Sequence, residues 1–231
     1  MSSELEQRRS AALADAQTKA EALFAEIERE GLLRPGASET EISKQIFRLS
    51  RDRFNAGRHW HKRVIRAGVN STLPYSAEPP ERILEEDDIV YVDLGPIFEA
   101  WEADFGRTFV IGDDPRKRQL VREVEAGFKE GKAYFQSKPD VTGAELYRKA
   151  TEIAARGGWD FGNVHAGHTV GEFPHEKIDG DRITLYIHPE NHQPLRSLNA
   201  EGRQRHWILE MHLVDKEKRY GAFFEELLTV G

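Results

Sequence analysis

"YVDLGPIFEAWEADFGRTF", from Tyr91 to Phe109, carries two aspartates, Asp93 and Asp104, in segments that otherwise read as strands. Aspartate is depleted in strands and is rarely fully buried unless it is paired or binds a metal. The stretch divides into "DIVYVDLG" (88–95) and "ADFGRTFVIG" (103–112), two strands joined closely enough to predict an antiparallel pair. Two further acids share this apolar strand context: Glu210 in "WILEMHL" and Glu225 in "FFEELLTV". A single such acid reads as an edge or solvent-facing carboxylate. Four of them, brought together in a core, would repel one another and raise each other's pKa, and a divalent cation is the simplest way to keep them ionised.

Working outward, "VHAGHTVGEFPHE" (164–176) sets His165, His168 and His175 among glycines. His168 lies between Gly167 and Gly171, off any helical stripe, and is the best imidazole ligand candidate. His188, His192 and His206 read as ordinary core or surface residues. Several carboxylates with one imidazole suit manganese, iron, cobalt or zinc, and carboxylates can bridge two such ions.

The rest of the chain frames these strands. A first helix carries Leu13, Ala16, Ala20, Leu23 and Ile27 at helical period, with Ser3 and Glu6 at capping-box spacing, and ends at Gly31. "SETE" (38–41) opens a second helix, and Asp114-Pro115 a third that runs to about Ser137. Thr142 and Glu145 cap a fourth, which stops at Gly157-Gly158. Residues 56–88 read as mixed and turn-rich, with "AGVNSTLPYSAEPPE" a loop. Three more strands are predicted, at "RITLYIH" (182–188), "HWILEMHLVD" (206–215) and "GAFFEELLTV" (221–230). No linker is visible, so residues 1–231 are expected to form one α+β domain.

Composition narrows the function. The formal net charge is −7 without a dense Lys/Arg stripe, which argues against nucleic acid as partner. No run of about 18 apolar residues is present, which argues against a membrane span. The polar start "MSSELEQRRS" lacks the apolar core of a secretory signal, so the cytoplasm is the default location. The absence of cysteine excludes thiolate ligands, disulfides and a cysteine nucleophile.

In order and context the acids and histidines resemble the pita-bread metallohydrolases: methionine aminopeptidase, aminopeptidase P, prolidase and the non-peptidase creatinase. That family's ligands run Asp, Asp, His, Glu, Glu. Asp93 in "VDLG" resembles the first, and Asp104 in "DFGRTF", eleven positions later, the second. His168 in "GHTVG" is similar to the His of Gly-His-Gly-Ile-Gly, and His175 follows seven residues on. Glu210 in "ILEM" resembles the Ile-Glu-Pro glutamate, and Glu225 the last. Glu225 is preferred to Glu226 on register, since only one of two adjacent strand residues faces the metals.

The resemblance implies a curved, mainly antiparallel sheet with outer helix pairs and two divalent ions in its concave face. It places Asp93 on one ion, Asp104 and Glu225 as bridges, and His168 and Glu210 on the other. A bridging water would be the nucleophile, with Glu210 taking its proton and His175 on the substrate carbonyl. Expected partners are a small peptide or small-molecule amide, and a second copy of the chain in a candidate homodimer. Aminopeptidase P and creatinase carry an extra N-terminal domain, for which these residues leave no room.

Three departures stand out. The family's upstream His, which acts on the substrate amide, is matched by Tyr75, a catalytic candidate of different chemistry because a phenol is a poor base at neutral pH. His59 and His61 in "RHWHKR" are alternative sources of that imidazole, each read first as a strand-surface or loop residue. Met211 replaces the proline after Glu210, and Thr169 replaces a glycine and is expected to narrow the site. Trp101 and Trp207 are read either as pocket walls or as core. Two function classes follow: a metal-dependent hydrolase of peptide or amide bonds, or a relative with another metal-assisted reaction or a binding role.

Overall fold

A computed structural model describes residues 3–175, 182–217 and 219–230. Two helices, α1 (Ser3–Arg29) and α2 (Glu39–Phe54), precede the first strands, β1 (Val64–Ala67) and β2 (Ile89–Leu94). Two short strands, β3 (Ile97–Phe98) and β4 (Trp101–Glu102), form a separate ribbon before β5 (Phe105–Val110). Helices α3 (Pro115–Ser137) and α4 (Gly143–Arg156) come next, then β6 (Asp160–Phe161), β7 (Thr169–Val170), β8 (His206–Val214) and β9 (Gly221–Leu227). The main sheet runs β1-β2-β5-β9-β8-β6, with β7 also on β8, and every pairing in it is antiparallel.

Local chemistry sets the helix ends. Ser38 accepts a hydrogen bond from Glu41 N, and Thr142 and Glu145 form a reciprocal capping box. Asp114 caps α3 ahead of Pro115. Gly31 takes a positive φ just beyond α1. The Ser3–Glu6 cap expected at the start of α1 involves a side chain outside the described residues.

Both faces of the central strands are buried, so their side chains sort by alternation. Val90, Val92 and Leu94 of β2 join Ile42 and Ile46 of α2 and Leu23 and Ile27 of α1 in one core. Trp207, Leu209, Met211 and Leu213 of β8, with Ala222 and Phe224 of β9, pack on Leu120, Val124 and Phe128 of α3 and Leu146 and Ile153 of α4 in a second. Each helix pair thus covers one half of the sheet. The alternate residues, Tyr91, Asp93, Glu210, His212, Phe223 and Glu225, line a cavity on the other face.

Two expectations are corrected here. Val64–Ala67, within the stretch read as mixed and turn-rich with a loop from Ala67 onward, is a strand: it pairs with β2 in the register Val64↔Asp93. Residues 182–188 are not a strand. Ile183–Leu185 is a 3₁₀ turn, and the segment meets the rest through an isolated His168↔Tyr186 bridge. Two buried side chains stiffen the edge by β1. The Glu39 carboxylate accepts from Ala67 N, Asn70 Nδ2 and Arg82 N. The Arg66 guanidinium donates to the carbonyls of Leu73, Pro74, Tyr75 and Ala77.

Candidate metal centre

Strand register brings the acids together. Asp93 pairs with Gly106 across β2 and β5, Gly106 with Glu225 on β9, and Glu225 with Glu210 on β8. Gly106 permits this approach, since a Cβ there would lie 2.5 Å from the Phe223 ring and 3.1 Å from the Glu225 Cβ. Asp104 reaches the same place from just before β5, and His168 from just before β7. All five lie on the wall of one cavity of about 240 Å³.

Asp104 is the hub. His168 Nε2 lies 3.2 Å from its Oδ2, and His61 Nε2 lies 3.1 Å from its Oδ1. The donor atoms fall into two groups that share Asp104: His61, Asp93 and Asp104, and Asp104, His168 and Glu225. Glu210 completes the wall. Its Oε2 accepts from Asn163 Nδ2 at 3.0 Å, and its Oε1 lies 2.7 Å from His165 Nδ1, too far off line for a hydrogen bond.

The electrostatics are those of a site built for cations. Burial, then repulsion from Asp104 and Glu210, lifts Asp93 to about 7 despite His61. Burial, then Asp104 and Asp93, holds Glu225 well above the usual carboxylate range. Burial would raise Asp104 too, but the His61 and His168 imidazoles hold it far below its ordinary value. Burial works against the charged His61 imidazole, yet Asp93 and Asp104 prevail and raise it to about 9. Asp93 Oδ1, Glu210 Oε1 and Glu225 Oε2 are buried without a hydrogen-bond partner among the described residues. Unpartnered carboxylate oxygens converging with imidazoles fit divalent ions, which would satisfy the oxygens and remove the repulsion.

The other predicted residues separate clearly. Tyr75 lies at the cavity mouth, its ring 5.9 Å from that of His61 and stacked under the Lys62 ammonium. Glu226 points to the opposite side of β9, where it pairs with Arg107. His175 is not on the cavity wall. The buried Glu102 carboxylate binds its Nδ1, and its ring packs edge-on against Trp60. Thr169 leaves the cavity as well and lines a neighbouring groove, so it does not narrow the site. Met211 alternates away from Glu210 into the core against α3, where no proline is needed. Trp207 is core, its indole donating to Leu195 O, and the cavity tryptophan is Trp60. Sequence reading missed Asn163, His165 and Tyr186 as wall residues and read His61 first as a strand-surface or loop residue and second as an alternative imidazole for the site; its side chain is only 8% exposed and faces the cavity. The "HWHK" pair of histidines was the available signal.

Among described residues no helix is long and apolar enough to cross a membrane. The description "Metallopeptidase family M24" matches residues 11–230. A Xaa-Pro dipeptidase of Pyrococcus horikoshii is 33% identical over 114 residues, 49% of this chain and 32% of that protein. Methionine aminopeptidase 1 of Saccharomyces cerevisiae is 23% identical over 147 residues, 62% of this chain and 38% of that one. The prolidase of Thermococcus sibiricus superposes with a TM-score of 0.74 at 20% identity, over 97% of this chain and 57% of that one. A methionine aminopeptidase of Thermotoga maritima gives 0.65 at 17% identity, over 95% and 97%. This chain therefore spans about a third of the curated dipeptidase and just over half of the prolidase. The shared architecture is the α+β pita-bread fold, and with the match running nearly end to end the chain belongs to metallopeptidase family M24.

Proposed function

We propose that this chain is a metal-dependent hydrolase of peptide or amide bonds whose substrates are small. The observation that carries the reading is the pair of donor groups sharing Asp104 in a cavity of about 240 Å³. That volume is below the roughly 300–1,000 Å³ of pockets for drug-sized ligands, and suits a dipeptide or a chain end. The named relatives, Xaa-Pro dipeptidases and methionine aminopeptidases, support the same substrate class.

In this proposal the five residues would hold two divalent ions, Asp93 at one, His168 and Glu210 at the other, with Asp104 and Glu225 within reach of both. Bound there, two divalent ions of manganese, iron, cobalt or zinc supply Lewis acidity and a water that ionises near neutral pH. The chain's own residues do the rest. Asn163 occupies Glu210 Oε2, which leaves Oε1, beside His165 Nδ1 but without a hydrogen bond, as the oxygen to take a proton inside the cavity. Tyr75 offers a hydroxyl donor at the mouth, suited to a substrate carbonyl or carboxylate. His175 acts from behind the wall, where it holds Trp60 in place with Glu102 and does not touch the substrate.

The test is a panel of X-prolyl, methionyl and other short peptides, assayed with each metal in turn. Metal-dependent cleavage that Glu210→Gln abolishes is the expected result. A fully metallated protein that cleaves no member of the panel overturns it. Such a result would favour the second reading, a metal-assisted reaction on another small molecule, for which a phenol at Tyr75 in place of an imidazole is the specific support.

A further inference from the structure

We infer that His61 is a sixth protein ligand of the candidate metal centre, binding the first ion through Nε2. This rests on the reading of the acid cluster as a two-ion site and adds a residue to it.

The imidazole is held for that purpose from every side. Arg58 O accepts from Ile97 N, and Trp60 N donates to Gly95 O, so residues 58–60 are pinned to the end of β2. Gly95 leaves the space that the ring fills: a Cβ there would lie 2.1 Å from His61 Cδ2. Trp60 packs edge-on against the ring at 4.5 Å and is itself anchored by its indole N–H on Ala103 O. His61 Nδ1 lies 2.7 Å from Lys62 O, and because a carbonyl only accepts, that nitrogen carries a proton. The lone pair of the neutral ring is thereby placed on Nε2, the tautomer that a metal-binding imidazole needs.

Nε2 then faces Asp104 Oδ1 at 3.1 Å and Asp93 Oδ1 at 3.6 Å, and the latter oxygen has no hydrogen-bond partner among the described residues. A first-row ion about 2.1 Å from each donor needs donors roughly 3.0–3.4 Å apart, close to these spacings. His168 repeats the design on the other side. Its Nδ1 donates to Thr169 O at 2.9 Å, and its Nε2 faces the second oxygen of Asp104. Asp104 thus lies between two imidazoles oriented in the same way, one for each ion. The first position becomes a mixed carboxylate and imidazole site and not an all-oxygen one, which shifts its preference from manganese toward cobalt or zinc.

The experiment is calorimetric titration of the metal-free chain with cobalt(II), followed also by the visible absorption of the bound ion. Wild type, His61→Ala and His61→Gln are compared, with circular dichroism as the check on folding. Two binding steps are expected in the wild type. One of them should weaken at least about tenfold in both variants, with a changed absorption band for that step. Glutamine can still hydrogen-bond Asp104 but offers no imidazole, so two-step binding restored by His61→Gln would reduce His61 to a hydrogen-bond donor and overturn the inference. It also decides the matter if the alanine variant does not fold. Unchanged affinities and spectra in both variants overturn it too, as does a wild type that takes one ion where His61→Ala takes two, since the ring would then stand in the ion's place. A wild type that binds no ion at all sinks the metal-centre reading itself, a separable result.

Discussion

Glu225 and Glu226 are neighbours in sequence and opposites in environment. The first is buried among carboxylates, with one oxygen unpartnered, and the second pairs with Arg107 on the far side of β9. On the two-ion reading proposed above, Glu225→Gln should cost one ion and most turnover. Glu226→Gln should leave metal stoichiometry unchanged and lower stability by roughly 1 kcal/mol through the half-buried Arg107. Metal analysis and melting curves of the two variants check this, and the reverse pattern would place the register one residue off. Tyr75 carries a second prediction. General acid or base groups contribute about 10²–10⁴ in rate, so Tyr75→His should raise cleavage of X-prolyl peptides at neutral pH at least about tenfold over a weak wild type. An efficient wild type that Tyr75→Phe leaves unchanged would make the phenol a bystander. The four acids of the proposed ligand set were legible because each breaks the apolar pattern of its surroundings, and His168 because it stands among glycines. His61 was not. It sits in an irregular segment without periodicity, and its meaning comes from Gly95 and Asp104, more than thirty residues away.

Among the elements, the four helices could be read because their ends carry local chemistry: Ser38, Asp114, Thr142 with Glu145, and Gly31. The strands were harder. "RITLYIH" alternates like a strand, and Leu185 and Ile187 are indeed buried, but alternation reports burial and not a ladder partner. The adjacent edge of β8 is already taken by β7, so the segment bends into a 3₁₀ turn. β1 was missed for the opposite reason, being four residues with a charge in the middle. That charge is Arg66, and its strand is held in turn by Glu39 at the first turn of α2. Glu39→Ala would leave Ala67 N, Asn70 Nδ2 and Arg82 N without their acceptor, at a cost of about 3 kcal/mol. For a chain of this length the melting temperature should drop by roughly 6–12 °C. A shift under about 2 °C by calorimetry would show that water replaces the carboxylate.

For the whole molecule, the buried site ties stability to pH and metal. Asp93 rises from 3.8 to about 7 on folding, so the metal-free fold keeps a proton that the unfolded chain gives up. The stability this brings is present at low pH and lost as pH climbs from about 4 to 7. His61, raised from 6.5 to about 9, extends the loss to about pH 9. Glu225 acts in the same sense as Asp93. Asp104, depressed, acts in the opposite sense, but only below about pH 4. Chelated protein should thus melt progressively lower between pH 5 and 9, by at least about 5 °C, while protein with cobalt or zinc should hold a flatter curve. Scanning calorimetry with and without chelator measures both, and a chelated curve that is level or rising over this range contradicts the picture. Arg66 has a consequence on the same scale. By gripping four carbonyls between Leu73 and Ala77 from the strand that pairs with Asp93, it ties the rim to the floor. For the hydrolase proposed above, that would make the opening on that side a fixed gauge and not a hinged door, admitting thin chain ends and turning folded surfaces away before any bond is touched.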